Sequence, residues 1–183
     1  MTRLGPDMAF GLDEALSAQV DWGMNCGPGA LAGVLGLSPE EIRQHLPDFP
    51  DKQYTNEIML EAALEDLGVA ATIGRGTLPA YGLARVLWKG PWWDDPDPYA
   101  RERRSHWIGV SSSDEGRMIF DINAIKAGGW ILEQEWRDVL VPWLLEGGEA
   151  TGGWEVAETY EIDPGLLPPR PDYISGPSSS GFA

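Results

Sequence analysis

Asn25-Cys26-Gly27-Pro28-Gly29-Ala30-Leu31 holds the only cysteine in a chain of 183 residues, and its reading decides the fold. Pro28 suits a first helical turn, where the N–H it lacks would have no partner anyway. Gly27 and Gly29 cost helix propensity, so their presence predicts close approach of another backbone or of a substrate. Ala30, Leu31, Val34 and Leu35 then give a packed apolar face, and Gly36 ends it. The stretch reads as a loop that becomes a helix with the thiol at the turn. A thiol there sits among unpaired backbone N–H groups at the positive end of the helix dipole, and both favour thiolate. A thiolate nucleophile needs a base, and the base needs a group to orient it.

Around this stretch the first part of the chain reads as helical. A short helix is expected at Leu12 to Ala18, followed by a polar loop from Gln19 to Asn25. Ser38, Pro39 and Glu41 supply an N-cap, a proline at N1 and a glutamate at N3, and Pro47 stops that helix. After a loop at 47–54, Thr55 or Asn56 caps a further helix that Gly68 ends. The pattern then changes. Val69 to Ile73 is β-like, Leu78 to Ala84 reads as a helical turn, and Arg85 to Lys89 reads as a strand. Residues 90–104 form a loop rich in Trp, Asp and Pro. Ser105 to Ser111 and Arg117 to Ile122 form a hairpin about the turn Ser113–Gly116. Trp130-Ile131 is a short strand, Glu133 to Glu146 an amphipathic helix with Trp136, Leu140 and Trp143/Leu144 on one side, and Trp154 to Ile162 a last strand. The fold class is α+β, a helical half followed by an antiparallel sheet.

The base is nearly forced, because the chain has two histidines. His45 lies on a helix beside Arg43 and Gln44 and reads as a surface residue. His106 opens the strand His106-Trp107-Ile108-Gly109-Val110 and is the candidate base. If the hairpin turn keeps an even register, paired residue numbers sum to 229. His106 then faces Asn123, and Asp121 faces Ile108. Asp121 and Asn123 both share the histidine's face, one diagonal to it and one opposite, so each is a candidate orienting group.

A cysteine on the first helix of a helical half, then histidine and an acid on a sheet, resembles the papain-like cysteine peptidases. The branch that trims double-glycine leader peptides is the most similar. The resemblance is carried by Gln19, by Asn25-Cys26-Gly27-Pro28-Gly29-Ala30-Leu31, by His106-Trp107-Ile108-Gly109-Val110 and by Ile119-Phe120-Asp121, within 19–37, 78–91 and 105–131. It implies a papain-like fold over residues 1–162, with the cysteine helix packed on the sheet; the proline, glycine and serine that dominate 163–183 read as a weakly ordered tail. It implies Cys26 as nucleophile, His106 as base and acid, and Asp121 ahead of Asn123 as third member. It also implies Gln19 as an oxyanion donor, although Gln19 stands seven residues before Cys26, one more than the family's usual spacing. Asn25 is the alternative donor. Trp130 would shield the His–Asp contact from water, and Trp22, Trp92 and Trp93 are candidates to line the substrate cleft.

The activity implied is hydrolysis of a peptide or isopeptide bond in a peptide or protein substrate through an acyl-enzyme, with no cofactor and no metal. The same three residues also serve transglutaminase- or amidase-type acyl transfer. An idle module that binds a protein partner in a larger assembly, such as a phage particle, is a third class. Thirteen basic against twenty-nine acidic residues give a net charge of −16, which argues against nucleic-acid and anionic-membrane partners. The local exception, Arg101, Arg103 and Arg104, reads as a solvated loop, with a small-anion contact as the second reading. One cysteine makes no internal disulfide, and the N-terminus carries no apolar signal core, so a cytoplasmic location is expected. With 43% hydrophobic residues and nine tryptophans, the chain has the material for a packed core.

Overall fold

The computed structural model describes residues 6–97 and 99–167. The chain is α+β. Helices α1 (Leu12–Trp22), α2 (Cys26–Leu35), α3 (Pro39–Gln44), α4 (Phe49–Lys52) and α5 (Glu57–Asp66) precede the sheet. The strands are β1 (Ala71–Arg75), β2 (Tyr81–Trp88), β3 (Ser105–Ser113), β4 (Gly116–Phe120), β5 (Trp130–Leu132) and β6 (Trp154–Ile162). They form one antiparallel sheet in the order β1-β6-β2-β3-β4-β5. Between β2 and β3 lie a 3₁₀ turn, Pro91–Asp94, and helix α6 (Tyr99–Glu102). After β5 come α7 (Glu133–Glu135), a π-turn Trp136–Leu140 and α8 (Val141–Leu144). Among the described residues no helix is long and apolar enough to cross a membrane.

Strand alternation divides the core in two. Trp107 and Phe120 join the helices on one face, with Leu31, Val34 and Tyr160. Ile108, Val110 and Ile119 face the other way, onto Trp136 and Val141. Helix α2 lies unusually close to its face. A Cβ on Gly33 would stand 2.7 Å from the Phe120 ring, and one on Gly109 would stand 2.6 Å from Val34. At Gly27 a Cβ would meet the Thr55 hydroxyl at 2.2 Å. The glycines of α2 are therefore explained by neighbouring side chains rather than by a substrate. Burying Leu31 in this layer contributes about 2–3 kcal/mol.

Four expectations change. Helix α1 runs to Trp22, so Gln19 is helical; Gly23 at φ 78° ends it, in the left-handed region that glycine tolerates. Leu78 to Ala84 is no helical turn, because β2 is continuous from Tyr81 to Trp88. Paired on both sides and buried on both faces, β2 is apolar throughout its buried stretch except at Arg85, a pattern without the alternation that would mark a strand. The segment expected as one amphipathic helix over 133–146 contains the π-turn. Its wider turn puts Val141 inward with Trp136 and leaves Trp143 exposed, displacing the 3.6-residue face. The tail expected to be weakly ordered from 163 begins with a 3₁₀ turn, Pro164–Leu166, in which Asp163 accepts from the Gly165 N–H; its remaining part, 168–183, lies outside the described residues.

Candidate active site

Cys26 is the first residue of α2, and Asn25 is its N-cap. The Asn25 Oδ1 accepts the Gly27 N–H at 3.3 Å, and its Nδ2 donates to the Gln53 carbonyl at 3.0 Å. Asn25 thus ties the connection before α5 to the thiol, and its side chain serves the cap. Gln53 is the one non-glycine described residue with positive φ, at 54°. A helix start leaves its first N–H groups without intrahelical partners; the Asn25 cap takes that of Gly27, and the Cys26 N–H precedes it at the first helical position.

His106 stands at the start of β3, opposite Val86 of β2. Its Nε2–H donates to Asp121 Oδ2 at 2.7 Å, which leaves Nδ1 for the thiol. The Cys26 thiol lies near enough to the His106 ring and to the Trp107 backbone N–H for both to lower its pKa. Asp121 is fully buried and accepts from four donors. His106 and the Trp136 indole share Oδ2, while the backbone and side-chain amides of Asn123 share Oδ1, each at 2.9 Å. Trp88 stacks over the imidazole at 5.8 Å, and Trp136 over Trp88 at 6.3 Å.

The electrostatics follow from these contacts. Burial opposes ionisation of Cys26, but the His106 charge, the ring hydrogen bond and the Trp107 N–H outweigh it, and the thiol pKa falls below its ordinary value. Burial would likewise lower the His106 pKa. The charges of Asp121 and Cys26, with their hydrogen bonds, instead raise it to about 10. For Asp121 burial is again the largest effect and is overcome by the His106 charge and the bonds from His106, Trp136 and Asn123. The three groups favour thiolate, imidazolium and carboxylate.

The hairpin pairs Gly109 with Phe120 and Val110 with Ile119, so numbers sum to 229 as the even register requires. Asn123 nonetheless does not oppose His106. β4 ends at Phe120 and the chain turns into a 3₁₀ segment, Ile122–Ala127, capped by Asp121. Asn123 therefore holds the carboxylate and not the imidazole.

Gln19 lines the groove into which Cys26 and His106 open, from the last turn of α1. The tryptophans fall elsewhere than expected. Trp130 packs edge-on against Phe120 at 5.6 Å on the helix-facing side, with its buried N–H unpartnered. It sits there because it pairs with Phe120 across the β4–β5 ladder. The screen over the His–Asp bond comes instead from Trp88 and Trp136. Trp22 is buried against Phe49 at 5.6 Å and is outside the groove lining. Trp92 and Trp93 are covered by cations, Arg104 at 4.8 Å over Trp92, and Arg101 at 4.6 Å and Lys89 at 5.2 Å over Trp93. The arginines of this loop thus pack on its tryptophans, and Arg103 pairs with Asp97. His45 meets Asp66 at the surface, far along the chain from the thiol.

Sequence reasoning missed Trp88, Trp136, Asn123 as a donor to Asp121, and the Trp107 amide. The apolar end of the strand at 85–89 held a signal for Trp88, but its partner depended on a register set across the loop 90–104. No protein-family model matches the chain, and no curated protein matches it.

Proposed function

We propose that this chain is a thiol hydrolase of papain-like layout that cleaves a peptide or isopeptide bond. The observation that carries the reading is that Cys26 and His106 line one groove while His106 bonds buried Asp121 at 2.7 Å, with the thiol pKa depressed and the histidine raised. The Cys26 thiolate attacks the carbonyl carbon, a C–S bond forms, and the carbonyl electron pair moves to oxygen. The Cys26 N–H at the helix start and the Gln19 amide are the donors for that oxyanion. As the C–N bond breaks, His106 gives its proton to the departing nitrogen and leaves a thioester. Water then attacks the thioester while His106 takes its proton, and collapse releases the acid and restores the ion pair. Asp121 orients the imidazole and stabilises its charge throughout.

Iodoacetamide labelling of Cys26 across pH tests this. Labelling is expected to be on its plateau by pH 6–7. In His106→Ala it should titrate at or above the ordinary thiol value of ~8.5, because burial is then unopposed by the imidazolium, and fall at least one to two orders of magnitude at pH 6.5. Ordinary titration in the unaltered protein would remove the enzyme reading. Hydrolysis and transfer separate by product, new termini in one case and incorporation of an added amine in the other.

A further inference from the structure

The groove that ends at the thiol has walls whose chemistry the bond-breaking step does not use. It runs between α1 and the 3₁₀ segment Ile122–Ala127, with a volume of about 350 Å³. Ala15 and Leu16 line it from α1, Ile122 and Ile125 from the 3₁₀ segment, and Met24 from the connection just before Cys26. No Lys, Arg, Asp or Glu lines it, on a chain of net charge −16. The polar lining, Gln19, Asn25 and Asn123, accompanies Cys26 and His106. Leu16 is 49% exposed and Val20, one turn on, is 85% exposed. An apolar ridge therefore borders the groove without being used in the core.

We propose that this groove is the subsite for an uncharged aliphatic side chain on the leaving-amine side of the scissile bond. This rests on the reading of Cys26 and His106 given above. His106 must deliver its proton to the departing nitrogen, so that nitrogen lies against the imidazole. The chain beyond it enters the space that His106 itself lines. A charged side chain would lose its water there and find no charged side chain beyond the thiolate–imidazolium pair, whose charges already satisfy each other. A branched aliphatic one gains burial against Leu16, Ile122 and Ile125.

The test uses the full chain and four alkylating reagents: iodoacetamide and its N-isobutyl, N-carboxymethyl and N-(2-aminoethyl) derivatives. In each, the thiolate displaces iodide and the tail occupies the space beside the sulfur. With rates normalised to glutathione, at a pH on the labelling plateau, the isobutyl reagent should react about tenfold faster than either charged one. Leu16 is exposed enough to change without unfolding the chain. Leu16→Asp should shift the preference toward the ammonium tail and Leu16→Lys toward the carboxylate, read as the ratio of tail rates within each variant. Leucinamide, which presents the departing amine, should protect Cys26 from iodoacetamide better than N-acetyl-leucine does. Equal rates for the three tails, an aliphatic preference unmoved by both Leu16 variants, or better protection by N-acetyl-leucine would overturn the proposal. Slow labelling by plain iodoacetamide would instead defeat the hydrolase reading, and the tail ratios would still be measured.

Discussion

Two buried ionic clusters sit one residue apart in the β2–β3 ladder and face opposite ways. Val86 pairs with His106 and Arg85 with Trp107. On one face, His106 and Asp121 form a pair that ends at a thiol and a groove. On the other, Arg85 gathers three carboxylates: Glu57 of α5 at 2.8 Å, Glu158 of β6 at 3.2 Å, and Glu102 of α6. Burial, ahead of any charge, raises the Glu158 pKa, and the Arg85 charge opposes it. Both clusters are desolvated and both shift pKa values, yet only the first places a thiol, an imidazole and an open space together. A buried ion pair is thus weak evidence of a site by itself. The Arg85 cluster instead joins three elements separated in sequence, and it keeps α5 and Thr55 against the sheet, where the Trp107 indole donates to the Thr55 carbonyl at 3.0 Å.

The contrast can be broken experimentally. Arg85→Met leaves buried and half-buried carboxylates without their cation and should cost about 3–5 kcal/mol in denaturant unfolding. Cys26 labelling in the protein that remains folded should keep its pH profile. A changed profile would make the Arg85 cluster part of the site.

Trp136→Phe keeps most of the packing but removes one donor from a buried carboxylate, at a cost of about 1–3 kcal/mol. It should raise the Asp121 pKa, lower that of His106 and move the labelling plateau to higher pH. Trp130→Phe, which removes an unpartnered N–H, should leave the plateau in place.

The pH dependence of stability sharpens the same difference. His106 has a folded pKa raised to about 10, above its unfolded value near ~6.5. Its contribution is therefore complete below about pH 6.5 and is lost as pH rises toward the folded value. In a Cys26→Ser background, the unfolding free-energy difference between His106 and His106→Gln proteins should be widest at low pH and shrink on the alkaline side. A difference that grows with pH would contradict the ion pair. The smallest effect is expected for Asn123→Ala. It removes the side-chain donor but not the backbone donor to Asp121 Oδ1, and should cost about 0.5–1.5 kcal/mol with a minor plateau shift.

Cys26 and His106 were legible because scarcity left few choices and both stand beside local signals, a helix start and a strand start. The hairpin register was legible because its turn is short, and it put Asp121 on the histidine's face. The competition between Asp121 and Asn123 was not resolvable that way. It turned on where β4 stops, which depends on the 3₁₀ segment packing against α1 and α2. The role assigned to Trp130 passed to Trp136 because Trp130 pairs with Phe120 on the helix-facing side, while Trp136, in the segment after β5, donates to Asp121.

By itself the sequence determined the order of helical and sheet halves, the thiol at a helix start and the pairing of β3 with β4. These depend on caps, turns and alternation within a few residues of one another. Tertiary structure alone decided which aromatics cover the His–Asp bond, which acids surround Arg85, and that an apolar groove meets the thiol. Each of those contacts joins segments separated by long loops. Their register is chosen by the packing of whole faces, which no local propensity encodes.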